Sequence, residues 1–436
     1  MKLKIGAKKL DAGQVLLAII YKIVLDASYG LFEVRYFGYL GIECKIMLYR
    51  IMLGWLIYLG TFAVIHSNEC KIVNLFSYIM LFLSMAPFVT LYQFWPECKL
   101  WMVFLQISAL LFIDIIARRF TLKAFSIKSL PYQDFRVVFA GWLFLIAMFL
   151  YMFMKFRLPS FSLLGFESIY LVRADSGFST FDSILTCIAC KIICPLYMVV
   201  CWKKKKYLKL AFLALIQLYI YSISGFKTFL FIPIVLFGLE FFKNIDLRKL
   251  IIAGLTGTLL FVDLIQVATG RLMPYALIGD RTIFFPAIIK RAFFDFFSKN
   301  PYVYFSQNSI ARIFGIKSVY ETNVFNIIGA EYFDKPNMWT NTGVFADAYS
   351  NLGVAGVFII SFLLAIILII VSQKMESFSG DVKNAMTAIY ILYFISFNDG
   401  AFLFTMVSGG FLIVMIIAEL VDFSSDIEVE NKDLRE

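Results

Sequence analysis

Charge is scarce in this chain. Only 16% of its 436 residues are Asp, Glu, Lys or Arg, against about a quarter in ordinary soluble domains. That shortage excludes a soluble globular protein of this length. Histidine is scarcer still. His66 is the single imidazole, and it closes an apolar run, where it reads as a helix-end residue at the membrane interface. The commonest general base and metal ligand is therefore missing from the long polar segments. No P-loop, GxGxxG or Gly-rich phosphate cradle occurs, so ATP binding by this chain has no support. No acidic cluster suits a divalent cation, and the expected chemistry is metal-independent and needs no cofactor. The ten-residue alternation that marks membrane strands is also lacking.

Cysteine is present but points nowhere in particular. Cys187, Cys190, Cys194 and Cys201 share one apolar stretch with Lys191. Thiols in such surroundings behave as small inert hydrophobes. Cys44 and Cys98 map to one face of the chain, and pairing between them is one option.

What the sequence has in quantity is apolar length. Hydrophobic residues make up 61% of it, in blocks of 17 to 24 residues that are long enough to cross a bilayer as helices. The pattern predicts an all-α polytopic membrane protein forming one integral membrane domain over 1–436. Its twelve expected spans lie at about 14–32, 46–66, 72–93, 99–117, 137–154, 183–202, 208–224, 228–242, 250–267, 352–372, 384–398 and 401–421. The start, MKLKIGAKKLDAGQVLLAIIY, has the basic residues and apolar run of a signal peptide but no small-residue cleavage site, so it reads as a retained first span.

The net charge of +10 is topological rather than a nucleic-acid footprint. Lys and Arg concentrate in 1–10, 118–136, 203–209 and 243–249. These segments share one side, which the positive-inside rule assigns to the cytoplasm. Both termini then lie inside, including the tail 423–436. Three outward pieces stand out: a medium loop at 155–182, a short turn at 224–227 carrying Lys227, and a large loop at 268–351. A connection as long as the last is usually functional. Within it, 281–299 reads as an amphipathic helix capped by Asp280. Phe285, Ile289, Phe293 and Phe296 make its apolar face, and Lys290, Arg291, Asp295 and Lys299 its polar one. Such a helix lies in the membrane interface or packs over the bundle.

The outer face carries isolated cations: Arg173, Lys227, Arg271, Arg281, Arg291 and Arg312. Beside them stand the carboxylates Asp280, Glu331 and Asp347, and the residues Tyr275, Tyr332, Trp339, Asn341 and Tyr349. Arg suits diphosphate because its planar fork donates two hydrogen bonds together. Aromatic rings such as Tyr275 and Trp339 suit sugar faces. A carboxylate can take a proton from a hydroxyl nucleophile. The set fits a lipid-linked, diphosphate-bearing sugar. Each cation taken alone also fits an interfacial anchor.

The dozen spans, the cytoplasmic Lys run, the turn "SGFKTFLF", and one large outer loop with "GRLMPYALIGDR" and "WTNTGVFADAYSNLGVAGVF" resemble Wzy-type O-antigen polymerases, the oligosaccharide repeat unit polymerases. The resemblance implies a multi-pass glycosyltransferase of the bacterial inner membrane. Such enzymes move a growing glycan from one undecaprenyl diphosphate carrier onto another lipid-linked repeat unit, making O-antigen or capsular-type polysaccharide at the periplasmic face. It implies a membrane-lipid-borne oligosaccharide as substrate, a separate protein that governs chain length, and no nucleic acid. Carried over by residue, it places Arg271, Arg281, Lys227 and Arg173 at the diphosphate, and Asn341, Tyr349 and Asn351 at the sugar. Asp347 is the first candidate base, with Asp280 and Glu331 in reserve. An O-antigen ligase is expected to use a histidine in its large outer loop, which this chain lacks. A repeat-unit flippase is the alternative from another class. It would place charges within spans, and Lys22 and Asp26, four residues apart, can instead satisfy each other.

Overall fold

The computed structural model describes residues 11–66, 71–120, 122, 129–131, 134–156, 177–242, 244–308, 311, 314–378 and 380–422. Arg173, Arg312, most of the 155–182 loop and the 423–436 tail lie outside the described residues. Nearly all of the described chain is helical. Among the described residues, nine helices are long and apolar enough to cross a membrane: Ala12–Leu40, Leu48–His66, Ile72–Phe94, Leu100–Arg119, Phe135–Phe156, Phe181–Lys203, Tyr207–Ser224, Leu247–Thr269 and Val344–Ser377. The chain is an all-α polytopic membrane protein.

Three of the twelve expected spans do not meet that measure among the described residues. Lys227–Phe241 has 15 residues with Pro233 inside it. Gly380–Asp399 has the length, but Asp381, Lys383 and Asn384 dilute its first turns. The last span resolves into a π turn, Phe404–Ser408, and a short helix, Phe411–Leu420.

The chain divides into two compact units. The first comprises Met1–Leu122, Ile245–Ser372 and Phe394–Phe402. Ile72–Phe94 is its axis and is buried along its whole spanning length. Polar side chains from neighbouring helices reach this axis. Lys22, on the first helix, is fully buried. It bonds Thr90 Oγ1 at 2.9 Å as well as Gln93 and Asp26, so the Lys22–Asp26 pairing expected from spacing forms. Tyr21 donates to the Phe82 carbonyl at 2.7 Å. The His66 ring meets the Tyr78 hydroxyl at 2.7 Å. Arg50 lies over the Tyr92 ring and donates to the carbonyls of Trp95 and Cys98, which follow the axis helix. At one end of the unit, Asp11 pairs with Lys249, and Asp246 caps Leu247–Thr269 while accepting from Gln14. Cys44 and Cys98 are free thiols, one exposed and one buried.

The segment after Leu247–Thr269 is ordered rather than loop-like. Helical structure runs from Met273 through a π-type stretch, Ala276–Phe284, into Phe285–Phe297. Asp280 therefore does not cap a helix that starts after it. It sits inside one that has already begun. The expected polar face reaches the surface only at its end, where Lys299 is exposed. Lys290 and Arg291 are buried with the phenylalanines, so this helix packs within the unit instead of floating in the interface. Arg291 finds Glu97 and the Trp95 ring. Asp295 accepts from Tyr332 and Lys299.

The second unit comprises Lys123–Asn244, Gln373–Tyr393 and Leu403–Glu436. Ser179 and Asp182 form a capping box at the start of its Phe181–Lys203 helix, and Lys155 and Tyr151 also bond Asp182. Gln217 donates to the Cys190 carbonyl at 2.6 Å, beside the π turn Ala189–Ile193. A two-residue parallel ladder joins Leu130–Pro131 to Val421–Asp422.

Val344–Ser377 is not one straight helix. Leu352 and Gly353 break it, Gly353 with φ 61° and ψ −147°. The hydropathy switch expected at 352 falls on this kink. Only glycine adopts that backbone region without strain, and a Cβ there would stand 2.6 Å from the Tyr302 hydroxyl oxygen. Gly353→Ala should therefore lower the melting temperature of the detergent-purified protein, with strain and overpacking together costing roughly 2–5 kcal/mol. Gly60→Ala, where a Cβ meets open space, is the control and should leave it unchanged. Equal melting of the two variants would remove the kink from the list of stabilising features.

Candidate active site

The first helix does not end where its apolar run ends. It passes through a π turn, Tyr29–Glu33, and continues to Phe37. A second π stretch, Ala276–Phe284, packs against that turn. Each extra residue in a π turn rotates the side chains that follow, and such turns often mark functional positions. Here they bring two carboxylates together. Glu33 is fully buried and Asp280 is 6% exposed, and a hydrogen bond joins their side chains.

Two carboxylates can share a hydrogen bond only when one of them carries a proton. The remaining contacts agree with this. Tyr275 donates to Glu33 Oε2 at 3.1 Å, whereas Glu33 Oε1 and Asp280 Oδ1 find no ordinary donor. Burial raises the Asp280 carboxyl above its usual range. The Glu33 hydrogen bond and the charges of Arg281 and Lys335 pull it back without cancelling that effect. Two buried carboxyls this close favour holding one proton between them.

Its surroundings are polar on both sides. Inward, Ser28 Oγ lies 3.3 Å from the Tyr275 hydroxyl and 3.1 Å from Asp263 Oδ1. Asp263, Ser28, Tyr275, Glu33 and Asp280 therefore form a continuous line of proton-bearing groups. Phe32 and Phe37 pack against the Tyr275 ring and hold it in place. Outward, Arg281, Lys335 and Tyr39 are exposed. Arg281 and Lys335 act on Asp280, and the Lys335 amine sits 5.7 Å over the Tyr39 ring. Arg271 is exposed where Gly270 ends Leu247–Thr269.

Of the other expected site residues, only Tyr275 joins this group among the described residues of the first unit. Tyr275 is fully buried and its hydroxyl serves Glu33 and Ser28. Asp347 is buried, accepting from the Phe402 backbone N–H at 3.2 Å and from Asn351. Asn351 is engaged with the chain itself, accepting from Phe305 N–H at 2.8 Å and donating to the Asp347 carbonyl. Tyr349 packs among Trp101, Phe294 and Tyr302. Asn341, Glu331 and Trp339 are exposed, Trp339 stacked on Phe325. Lys227 opens the helix Lys227–Phe241 in the second unit.

Three functional candidates escape a reading of the sequence. Glu33 follows directly on an apolar run and looks like the point of exit from the membrane. Lys335 and Tyr39 lie far apart in the chain and meet only in the fold. Lys290 is a fourth notable group. Its amine donates to Ser84 Oγ at 2.6 Å and Asn398 Oδ1 at 2.5 Å, and burial lowers it to about 7 despite the opposing charge of Asp399.

A carboxyl raised in the folded state keeps its proton while the unfolded chain loses one. Its stabilising contribution is complete below its ordinary value of 3.8 and disappears as pH rises through the elevated folded value. Asp280→Asn removes this dependence. Relative to the parent, the variant should gain stability steadily from about pH 4 to about pH 7, by about 1.4 kcal/mol for each unit of elevation. Parallel melting curves for the two proteins across that range would show that no shared proton exists. No protein-family model, curated protein or solved structure matches this chain.

Proposed function

We propose that this protein is a glycosyltransferase that polymerises oligosaccharide repeat units carried on undecaprenyl diphosphate, working at the periplasmic face of a bacterial inner membrane. The observation that carries the reading is the pairing of a one-proton carboxylate site, Glu33–Asp280, with an exposed rim of Arg281, Lys335 and Tyr39. A base for a hydroxyl, cations for a diphosphate and a ring for a sugar face then lie in one place at the edge of the spans.

The reaction assigns a task to each group. A hydroxyl of the acceptor sugar attacks the anomeric carbon of the donor. The bond from that carbon to the diphosphate oxygen breaks, and its electron pair leaves with the lipid diphosphate. The hydroxyl proton passes to the free carboxylate oxygen of the Asp280–Glu33 pair. Arg281, with Arg271 and Lys335, neutralises the charge that develops on the leaving group. Asp280 rather than Glu33 faces the acceptor, because it alone retains exposure. Asp347, the first candidate by sequence, takes the role of fastening the 398–402 turn through the Phe402 N–H. The basic segments, with Lys249 among them, lie on the cytoplasmic side with both termini.

A repeat-unit flippase is the second reading. One observation favours it: the line from Asp263 through Ser28, Tyr275 and Glu33 to Asp280 resembles the carboxylate relays of proton-coupled transporters.

Gels of surface glycan separate the two. Loss of a polymerase collapses a ladder to carriers bearing one repeat unit, whereas loss of a flippase removes the single-repeat band as well. With a polymerase, Asp280→Asn should lower chain extension by about 10²–10⁴-fold. Arg281→Ala should cost about 10–100-fold and exceed Arg281→Lys, because bidentate donation is lost along with the charge. If Asp347→Asn abolishes extension while Asp280→Asn leaves it intact, the base is Asp347.

A further inference from the structure

The second unit contains a cavity of about 340 Å³ whose lining includes Trp142, Tyr197, Cys201, Lys204, Lys206 and Lys209. Its floor is set by a close approach of helices. A Cβ on Gly141 would stand 1.9 Å from the Tyr197 hydroxyl oxygen, so Tyr197 occupies space that any larger residue would fill. Tyr197 and Cys201 are buried, and the three lysines are exposed at the rim.

The lysines reach the cavity by a specific turn. Phe181–Lys203 ends and Tyr207–Ser224 begins across only three residues. Lys205 takes a left-handed conformation with φ 52°, and Lys206 N–H bonds the Cys201 carbonyl at 2.8 Å. This places Lys204 and Lys206 on the lining and leaves Lys205 off it. The Lys209 amine sits 5.5 Å over the Trp142 ring, and all three lining amines lie within electrostatic reach of Cys201. Among the described residues that line the cavity, none is a carboxylate. The neighbouring Lys203 pairs with Glu240 at 3.0 Å.

We propose that this cavity binds the phosphate headgroup of an anionic glycerophospholipid. The Lys206 and Lys209 amines are point-charge donors of the kind that hold phosphate oxygens. The Trp142 and Tyr197 rings suit the glycerol and first acyl carbons at the depth where aromatic residues anchor to the interface. The lysine run belongs to the side the positive-inside rule assigns to the cytoplasm, where anionic headgroups attract basic pockets between helices. The site is independent of the glycosyl-transfer reading and lies in a different unit from Glu33 and Asp280.

The test is native mass spectrometry of the full chain in detergent, titrated with phosphatidylglycerol or phosphatidylcholine. Lys206→Gln and Lys209→Gln should each weaken phosphatidylglycerol binding about fivefold, and Lys205→Gln, with the same charge change off the lining, by less than about twofold. Lys209→Arg keeps the charge and should retain binding, which separates lost recognition from lost folding. Equal losses from Lys205→Gln and Lys206→Gln would reduce the effect to general surface charge and overturn the site. So would equal affinity for the two lipids. Displacement of bound phosphatidylglycerol by soluble glycerol phosphate at matching concentration would assign the cavity to free phosphate esters and overturn the lipid.

Discussion

A polar group that enters the membrane loses water and must find its partner within the protein. In the first unit that requirement determines how the helices meet. Apolar packing between spans has little preference for register, because lipid tails are as apolar as the helices. The contacts to Ile72–Phe94 supply that preference. Tyr21 reaches a carbonyl on it, Lys22 reaches Thr90 and Gln93, and His66 reaches Tyr78. Lys290 reaches Ser84 from the segment that follows Leu247–Thr269. Each contact admits one alignment, so the axis helix sets the height and rotation of its neighbours, and with them the position of Glu33.

Hydropathy made the helical class and most of the spans readable, since a bilayer imposes length and composition on any helix that crosses it. The kink at Gly353 also coincides with the switch from mixed to apolar sequence. What could not be read was the difference between a loop and buried structure in 268–351. Lys290 and Arg291 look like a solvated face by spacing, yet both are buried because Ser84, Asn398, Glu97 and Trp95 come from distant parts of the chain to receive them. Period-3.6 reasoning also assumes unbroken α-helix, and two π segments invalidate it at the positions that carry the carboxylates. Asp280 was identifiable as a candidate, but Glu33 as its partner was not.

The buried pair accounts for several features together. Tyr275, expected at a sugar, is instead held beneath Glu33 by aromatic neighbours and hydrogen bonds. The exposed cations stand over Asp280, the member of the pair that retains contact with the surface. In the function proposed above, a proton taken up there would leave by the route through Tyr275 and Ser28 or directly to water. The same line would serve a transporter, so the choice between the two proposed functions rests on the fate of the surface glycan rather than on the relay.

The π turns carry one more implication, for how the chain tolerates change in length. Each holds one residue more per turn than α-helix requires, so the helix beyond it is out of phase with the helix before it by about 100°. Removing a single residue from Tyr29–Glu33 would restore regular winding without disturbing any hydrogen-bonded end. It would also swing the downstream face, Glu33 included, away from Asp280. At such a turn a one-residue deletion is therefore more disruptive than most substitutions, and chains of common descent would show a gap there only where the carboxylate pair itself has been given up.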